Sequence, residues 1–194
     1  MRTHRQLVVY ESVLQALLEP GCPFCRFLKE FQTARLQNHS MENIHRLCNS
    51  HAWGLAAVQN APDAAQVFIK LVAEPPSLLE ADSACDVCRA VLSEEDLGLR
   101  EFVSCISRPD VSHWLRGPAV LCIPHGTKLR TQVQPVVAAR IDAIIENYRH
   151  QLAQELQHLR DEPDPDRAGW GAIGRAAESL ISQRGLHSQG EDVC

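Results

Sequence analysis

The sequence predicts an all-α protein, a helical bundle of about seven or eight helices from a degenerate internal duplication, stapled by two metal knuckles of three Cys and one His each. Three observations carry that prediction. Apolar residues recur at three- and four-residue intervals along most of the chain, the period of a helix with one buried face. Val-Ile-Thr runs of strand length are nearly absent. A cysteine–histidine pattern occurs twice: Cys22-Pro23-Phe24-Cys25 is followed by Cys48-Asn49-Ser50-His51, and Cys85-Asp86-Val87-Cys88 by Cys122-Ile123-Pro124-His125.

The helices follow in order. Residues 6–19 carry Leu7, Tyr10, Leu14, Leu17 and Leu18 on one stripe, and Pro20-Gly21 stops that helix just before Cys22. Phe24, Phe27, Leu28 and Phe31 start a second helix at or within the first knuckle. A polar stretch around 37–43 leads to Leu47-Cys48, and His51–Ala57 reads as a third helix. Pro62 fits the first turn of a fourth, with Ala65, Phe68, Leu71 and Val72 on its buried side and Pro75-Pro76 as its end.

Val87, Val91 and Leu92 continue the second knuckle into a helix. Ser93 then reads as the cap of another, with Glu94, Glu95 and Asp96 in its positive first turn and Leu97, Phe102, Cys105 and Ile106 along it. Asp110 suggests a short turn holding Trp114, and Gly117-Pro118 opens the approach to Cys122. From Pro135 to about residue 162 a continuous stripe (Val137, Ile141, Ile144, Tyr148, Leu152, Leu156) predicts a spine helix of roughly 40 Å. Pro163 and Pro165 end it. A last helix spans about Trp170–Gln183, and a polar tail expected to be disordered follows.

These elements divide into a first helical repeat over 1–60, a second over 61–162 ending in the spine, and a C-terminal helix and tail over 163–194, as one compact unit overall. The C-x2-C motifs lie 63 residues apart and the C-x2-H motifs 74 apart. Beyond the ligands the halves share little except a leucine directly before each C-x2-H turn, Leu47 and Leu121.

Three thiolates and an imidazole are a complete tetrahedral set for zinc. Six of the eight cysteines fall into the pattern, so Cys22, Cys25, Cys48, His51, Cys85, Cys88, Cys122 and His125 are the expected ligands of two Zn2+ ions per chain. The simplest pairing keeps each set within its own half, Cys22/Cys25 with Cys48/His51 and Cys85/Cys88 with Cys122/His125. Pairing across the halves remains open. An iron–sulfur cluster is the alternative cofactor, although four thiolates are its commoner ligand set. A redox dithiol at Cys22/Cys25 would belong after a strand in a βαβ context, whereas this motif follows a helical stripe.

The other candidates have plainer readings. Cys105 falls in the apolar phase of its helix and reads as core. Cys194 ends the polar tail. His39, His45 and His113 are isolated, and Trp53 is expected to pack against the first knuckle. Trp114 and Trp170 read as anchors of short helices.

Composition narrows the function. A formal net charge of −5 with no block of basic residues argues against nucleic acid, which needs phosphate neutralisation. No segment approaches the apolar length of a membrane span, and Glu11 and Gln15 break the one stretch that resembles a leader. The expected location is the cytoplasm, where paired cysteines bind metal more often than they form disulfides.

At these motifs the chain resembles an uncharacterised bacterial family with a duplicated C-P-x-C … L-C-x-x-H-x-W signature. Cys22-Pro23-Phe24-Cys25 and Leu47 to Trp53 match its first half; in the second, Asp86 replaces the usual proline and no tryptophan follows His125. The resemblance spans about residues 8–160 and implies a helical metal-binding fold. The reading is of a zinc-binding, non-enzymatic scaffold or adaptor whose partner is another protein or a second copy, with a redox, iron–sulfur or metal-handling protein as the alternative.

Overall fold

The computed structural model describes residues 3–19, 21–37, 44, 46–73, 85–106, 120–161 and 169–181. These form eight helices and no strand: α1 His4–Ala16, α2 Pro23–Gln37, α3 Asn49–Val58, α4 Ala61–Ala73, α5 Asp86–Cys105, α6 Ile123–Arg130, α7 Pro135–Asp161 and α8 Gly169–Ile181. The protein is all-α. The expected short turn at Trp114, the polar tail with Cys194, and His39, His45 and His113 lie outside the described residues.

The chain divides into two compact units. Unit 1 takes the described residues of Met1–Phe27 and Asp96–Arg184, and unit 2 those of Leu28–Glu95. Each unit therefore draws on both halves of the motif pattern, and α2 and α5 contribute to both units.

In unit 1, α1 starts on a capping box in which the Gln6 amide N–H donates to the Thr3 hydroxyl and the Thr3 N–H to the Gln6 side chain. Its buried face is Val9, Val13 and Ala16, continued by Leu17. That face meets the C-terminal half of α5 at Gly98, where an added Cβ would lie 3.2 Å from Phe27 and 3.6 Å from Val13. Gln6 Nε2 donates to Glu101 at 2.9 Å, and Phe24 meets Phe102 edge to face with ring centroids 5.4 Å apart. The start of α2 thus packs on the end of α5. Phe24, Leu99, Phe102, Leu121, Leu129 and Ile141 are among the buried side chains of this core. Each contributes about 1.5–3 kcal/mol of transfer free energy. Helix α6 packs on α7 and α8, which also pack on each other.

In unit 2, Leu28 and Leu36 of α2, Leu55 of α3 and Val87 and Val91 of α5 are buried. Leu36 lies 3.2 Å from the position of a Cβ on Gly54, and Gln59 Nε2 caps the Leu36 carbonyl at 2.6 Å. Asn60 and Asp63 close the α3–α4 connection: Asp63 N–H donates to Asn60 Oδ1, and Asn60 Nδ2 to the Asp63 carboxylate.

Three local expectations are corrected. Ser93 caps nothing: α5 runs unbroken from Asp86 to Cys105, and Glu94 and Glu95 are buried mid-helix residues, not first-turn carboxylates. No proline or glycine stands between Asp86 and Leu97, and a serine costs a helix interior only a few tenths of a kcal/mol. In α4 the buried residue is Ala64, while Ala65 and Val72 are exposed. Trp53 does not pack against a knuckle; it is 72% exposed.

Candidate metal centres

All four ligand motifs sit on helix N-termini. Cys22, Cys85, Cys48 and Cys122 stand immediately before α2, α5, α3 and α6, and their carbonyls accept from Arg26, Arg89, Ala52 and Gly126 N–H at 2.9–3.1 Å. Cys25, Cys88, His51 and His125 each follow three residues later, in the first helical turn. This spacing places both ligands on one side of the turn. It also puts the thiols beside unpaired N–H groups and the positive end of the helix dipole, which favour thiolate.

The eight residues form two groups: Cys22, Cys25, Cys122 and His125 in unit 1 (centre 1), and Cys48, His51, Cys85 and Cys88 in unit 2 (centre 2). Within each group the donor atoms all lie within 4.8 Å of one another. The expected ligands are therefore all brought together, but the local pairing is corrected. Each C-x2-C motif meets the C-x2-H motif of the other half.

The spacing fits a single ion. Cys25 and Cys122 Sγ are 3.7 Å apart, and Cys48 and Cys88 Sγ 3.8 Å. A tetrahedral ion with bonds of about 2.3 Å to sulfur sets sulfurs about 3.8 Å apart, whereas a disulfide requires about 2.05 Å. His125 Nδ1 lies 3.5, 3.4 and 3.0 Å from Cys22, Cys25 and Cys122. His51 Nδ1 lies 3.1, 3.4 and 3.4 Å from Cys48, Cys85 and Cys88. Both imidazoles thus face their sulfurs through Nδ1. The described cysteines form no disulfide.

Backbone contacts hold the half-sites together. At centre 1 the Val120 N–H donates to the carbonyl of Gly21 at 3.1 Å. Gly21 has φ +99°, a conformation that suits glycine and turns the chain from α1 into the knuckle. Phe24, within the same motif, stacks on the His125 ring at 5.4 Å between centroids. At centre 2 the Asp86 N–H donates to the Arg46 carbonyl at 3.2 Å, and the Arg46 N–H to the Asp86 carboxylate at 2.9 Å. A proline at position 86 could make neither bond, which gives the departure from the C-P-x-C pattern a structural role. The signal was readable as an odd residue, but its partner was not.

Burial is asymmetric in the same way at both centres. Cys22 and Cys48 are half-buried, and their six co-ligands are buried. The buried Nε2 of His51 has no hydrogen-bond partner among the described residues. The thiols differ in proton affinity. Cys25 is held far below the ordinary range, chiefly by a hydrogen bond from Cys122, and Cys85 falls to about 3, chiefly by one from Cys88. Cys122 is pushed up, first by its hydrogen bond with Cys22, and Cys88 by its bond with Cys85; for Cys48, burial is the main cause. Thiols must lose their protons to bind an ion, so ion binding releases protons.

Cys105, expected as core, is fully buried and donates to the Phe102 carbonyl at 3.1 Å, apart from both centres. No described helix is long and apolar enough to cross a membrane. No protein-family profile, curated protein or solved structure matches the chain, so the family resemblance rests on the two motifs themselves.

Proposed function

We propose that this chain is a zinc-stapled helical scaffold, non-enzymatic, that acts in a reducing cytoplasm by binding another protein or a second copy. The observation that carries the reading is the closed ligand set at each centre: three sulfurs and one Nδ1 at the spacing of one tetrahedral ion. Four protein ligands leave no position for water or substrate, the mark of a structural rather than a catalytic site. Zinc supplies a cross-link between helix N-termini. An apparent ~10–16 kcal/mol from such a site is comparable to the whole stability of a domain. A cluster of several irons would set its ligands further apart, because each thiolate caps a different iron.

The competing reading, a redox, iron–sulfur or metal-handling protein, draws on the partial exposure of Cys22 and Cys48, where a reagent or an acceptor would enter. Metal analysis with a visible spectrum, on full-length protein purified without added metal, separates the two. Two zinc ions per chain, no colour and slow alkylation are expected. Iron with charge-transfer absorption, or metal-free protein with a Cys22–Cys25 disulfide, would overturn the scaffold reading.

A further inference from the structure

We infer that Cys48 is an oxidation site: hydrogen peroxide oxidises its sulfur first, Cys88 closes a disulfide on it, and centre 2 gives up its ion while centre 1 keeps its own. The inference adds a regulation to the zinc staples proposed above and rests on that reading.

Access separates the two half-buried sulfurs. Cys22 is followed by buried Pro23, Phe24 and Cys25, whereas Cys48 is followed by exposed Asn49 and Ser50. Cover over the imidazoles differs in the same direction. Phe24 stacks on the His125 ring at 5.4 Å between centroids. The matching position of the second C-x2-C motif is Val87, and among the described residues no ring stacks on His51. Trp53, two residues beyond His51, is 72% exposed and gives no cover. The buried Nε2 of His51 also lacks the hydrogen-bond partner that normally orients a metal-bound imidazole. Centre 2 is therefore the more open and the less firmly held of the two.

Bound to an ion, a ligand sulfur is a thiolate whatever its proton affinity in the metal-free protein. Exposure then selects the sulfur that reacts. A half-buried sulfur admits a small neutral oxidant, which favours hydrogen peroxide over a bulky disulfide. The resolving thiol is already in place, because Cys88 Sγ lies 3.8 Å from Cys48 Sγ.

The steps balance. The Cys48 thiolate attacks one peroxide oxygen; the S–O bond forms, the O–O bond breaks and hydroxide leaves, giving a sulfenic acid. The Cys88 thiolate then attacks the Cys48 sulfur; the S–S bond forms, the S–O bond breaks and a second hydroxide leaves. Solvent protons turn both hydroxides into water. Two thiolates have lost two electrons in all, and the peroxide has gained them. Centre 2 keeps only Cys85 and His51 as donors, too few to hold its ion. The disulfide joins the start of α3 to the start of α5, so the half-sites stay linked after the ion is lost.

The test takes the full chain purified with zinc and counts its metal before oxidation. Hydrogen peroxide equimolar with the chain is then added, zinc release is followed with a chromogenic indicator, and disulfides are mapped by fragmentation mass spectrometry. One zinc per chain should leave about tenfold faster than the other, with a Cys48–Cys88 link in the product. Dimedone, which traps sulfenic acids, should mark Cys48 and suppress that link. Dithiothreitol with added zinc should restore the lost ion. No release, loss of both ions together, dimedone on Cys22 first, or a disulfide other than Cys48–Cys88 would overturn the inference and leave the scaffold standing. A chain that carries no zinc before oxidation overturns both.

Discussion

Crossed pairing makes a quantitative prediction that local pairing reverses. Cys22→Ser with Cys122→Ser removes two donors from centre 1 and none from centre 2. Cys22→Ser with Cys48→Ser removes one donor from each. The donors of each centre sit within 4.8 Å of one another, so all four can bind together. Dividing ~10–16 kcal/mol among four ligands assigns about 3–4 kcal/mol, or roughly 10²–10³-fold in affinity, to each. Against a chelator set between the wild-type and one-ligand-deficient affinities, the first double variant should hold one zinc per chain and the second none. Metal analysis after gel filtration reads the difference directly. If the Cys22/Cys122 variant loses both ions while the Cys22/Cys48 variant keeps one, the ligands pair within the halves and the helix arrangement described above is wrong.

Other changes probe each centre separately. Asp86→Ala removes the carboxylate that accepts from Arg46 N–H, a charge-assisted bond worth about 1.5–3 kcal/mol; chelator competition should show centre 2 weakened about tenfold and centre 1 unchanged. At Gly126 an added Cβ would lie 2.3 Å from Ile145 Cδ1. Gly126→Ala should therefore lower Tm by a few degrees despite alanine's better helix propensity, the net of an overpacking cost of about 1–3 kcal/mol, and Ile145→Val, which deletes that Cδ1, should rescue it. The metal-free protein should be most stable near pH 9. Cys25 and Cys85, lowered from the ordinary 9.0, contribute fully above that pH and less as pH falls; Cys48, Cys88 and Cys122, raised from it, contribute below that pH and lose their share as pH rises. Thermal melts from pH 7 to 11 in chelator check this, and a stability that climbs steadily through pH 10 would refute it.

Patterns that act within a turn or two were readable. The ligand motifs, the second helix starting in its knuckle, Pro62 in a first turn and the spine from Pro135 all follow from local sterics and period, and all are present in the structure. What failed depended on distant neighbours. Ser93 and the acids after it carry the chemistry of a helix start, yet they continue α5, with Glu94 and Glu95 on its buried side. Trp53 and Val72 were assigned inward on hydrophobicity alone, which says that a residue prefers cover without saying what supplies it.

The pairing of the half-sites shows why such long-range choices resist a reading by spacing. Joining each C-x2-C to the next C-x2-H closes short loops, and crossing them lengthens one; Cys25 and Cys122 are 97 positions apart. That is roughly fourfold longer than the local alternative. Because closure entropy grows only with the logarithm of length, the penalty is about 1.2 kcal/mol. Burying one phenylalanine outweighs it. Packing of the start of α2 on the end of α5 sets Phe24 against Phe102, and Phe24 in turn stacks on His125. A helix of 15 residues leaves Cys25 and carries the chain about 22 Å, and one of 20 residues leaves Cys88 and carries it about 30 Å. Each C-x2-C knuckle thus opens a long helix, and the C-x2-H turn that follows it in sequence closes on the other half's cysteines. Cysteine spacing specifies what each centre is made of, and the helices between the cysteines decide which halves meet.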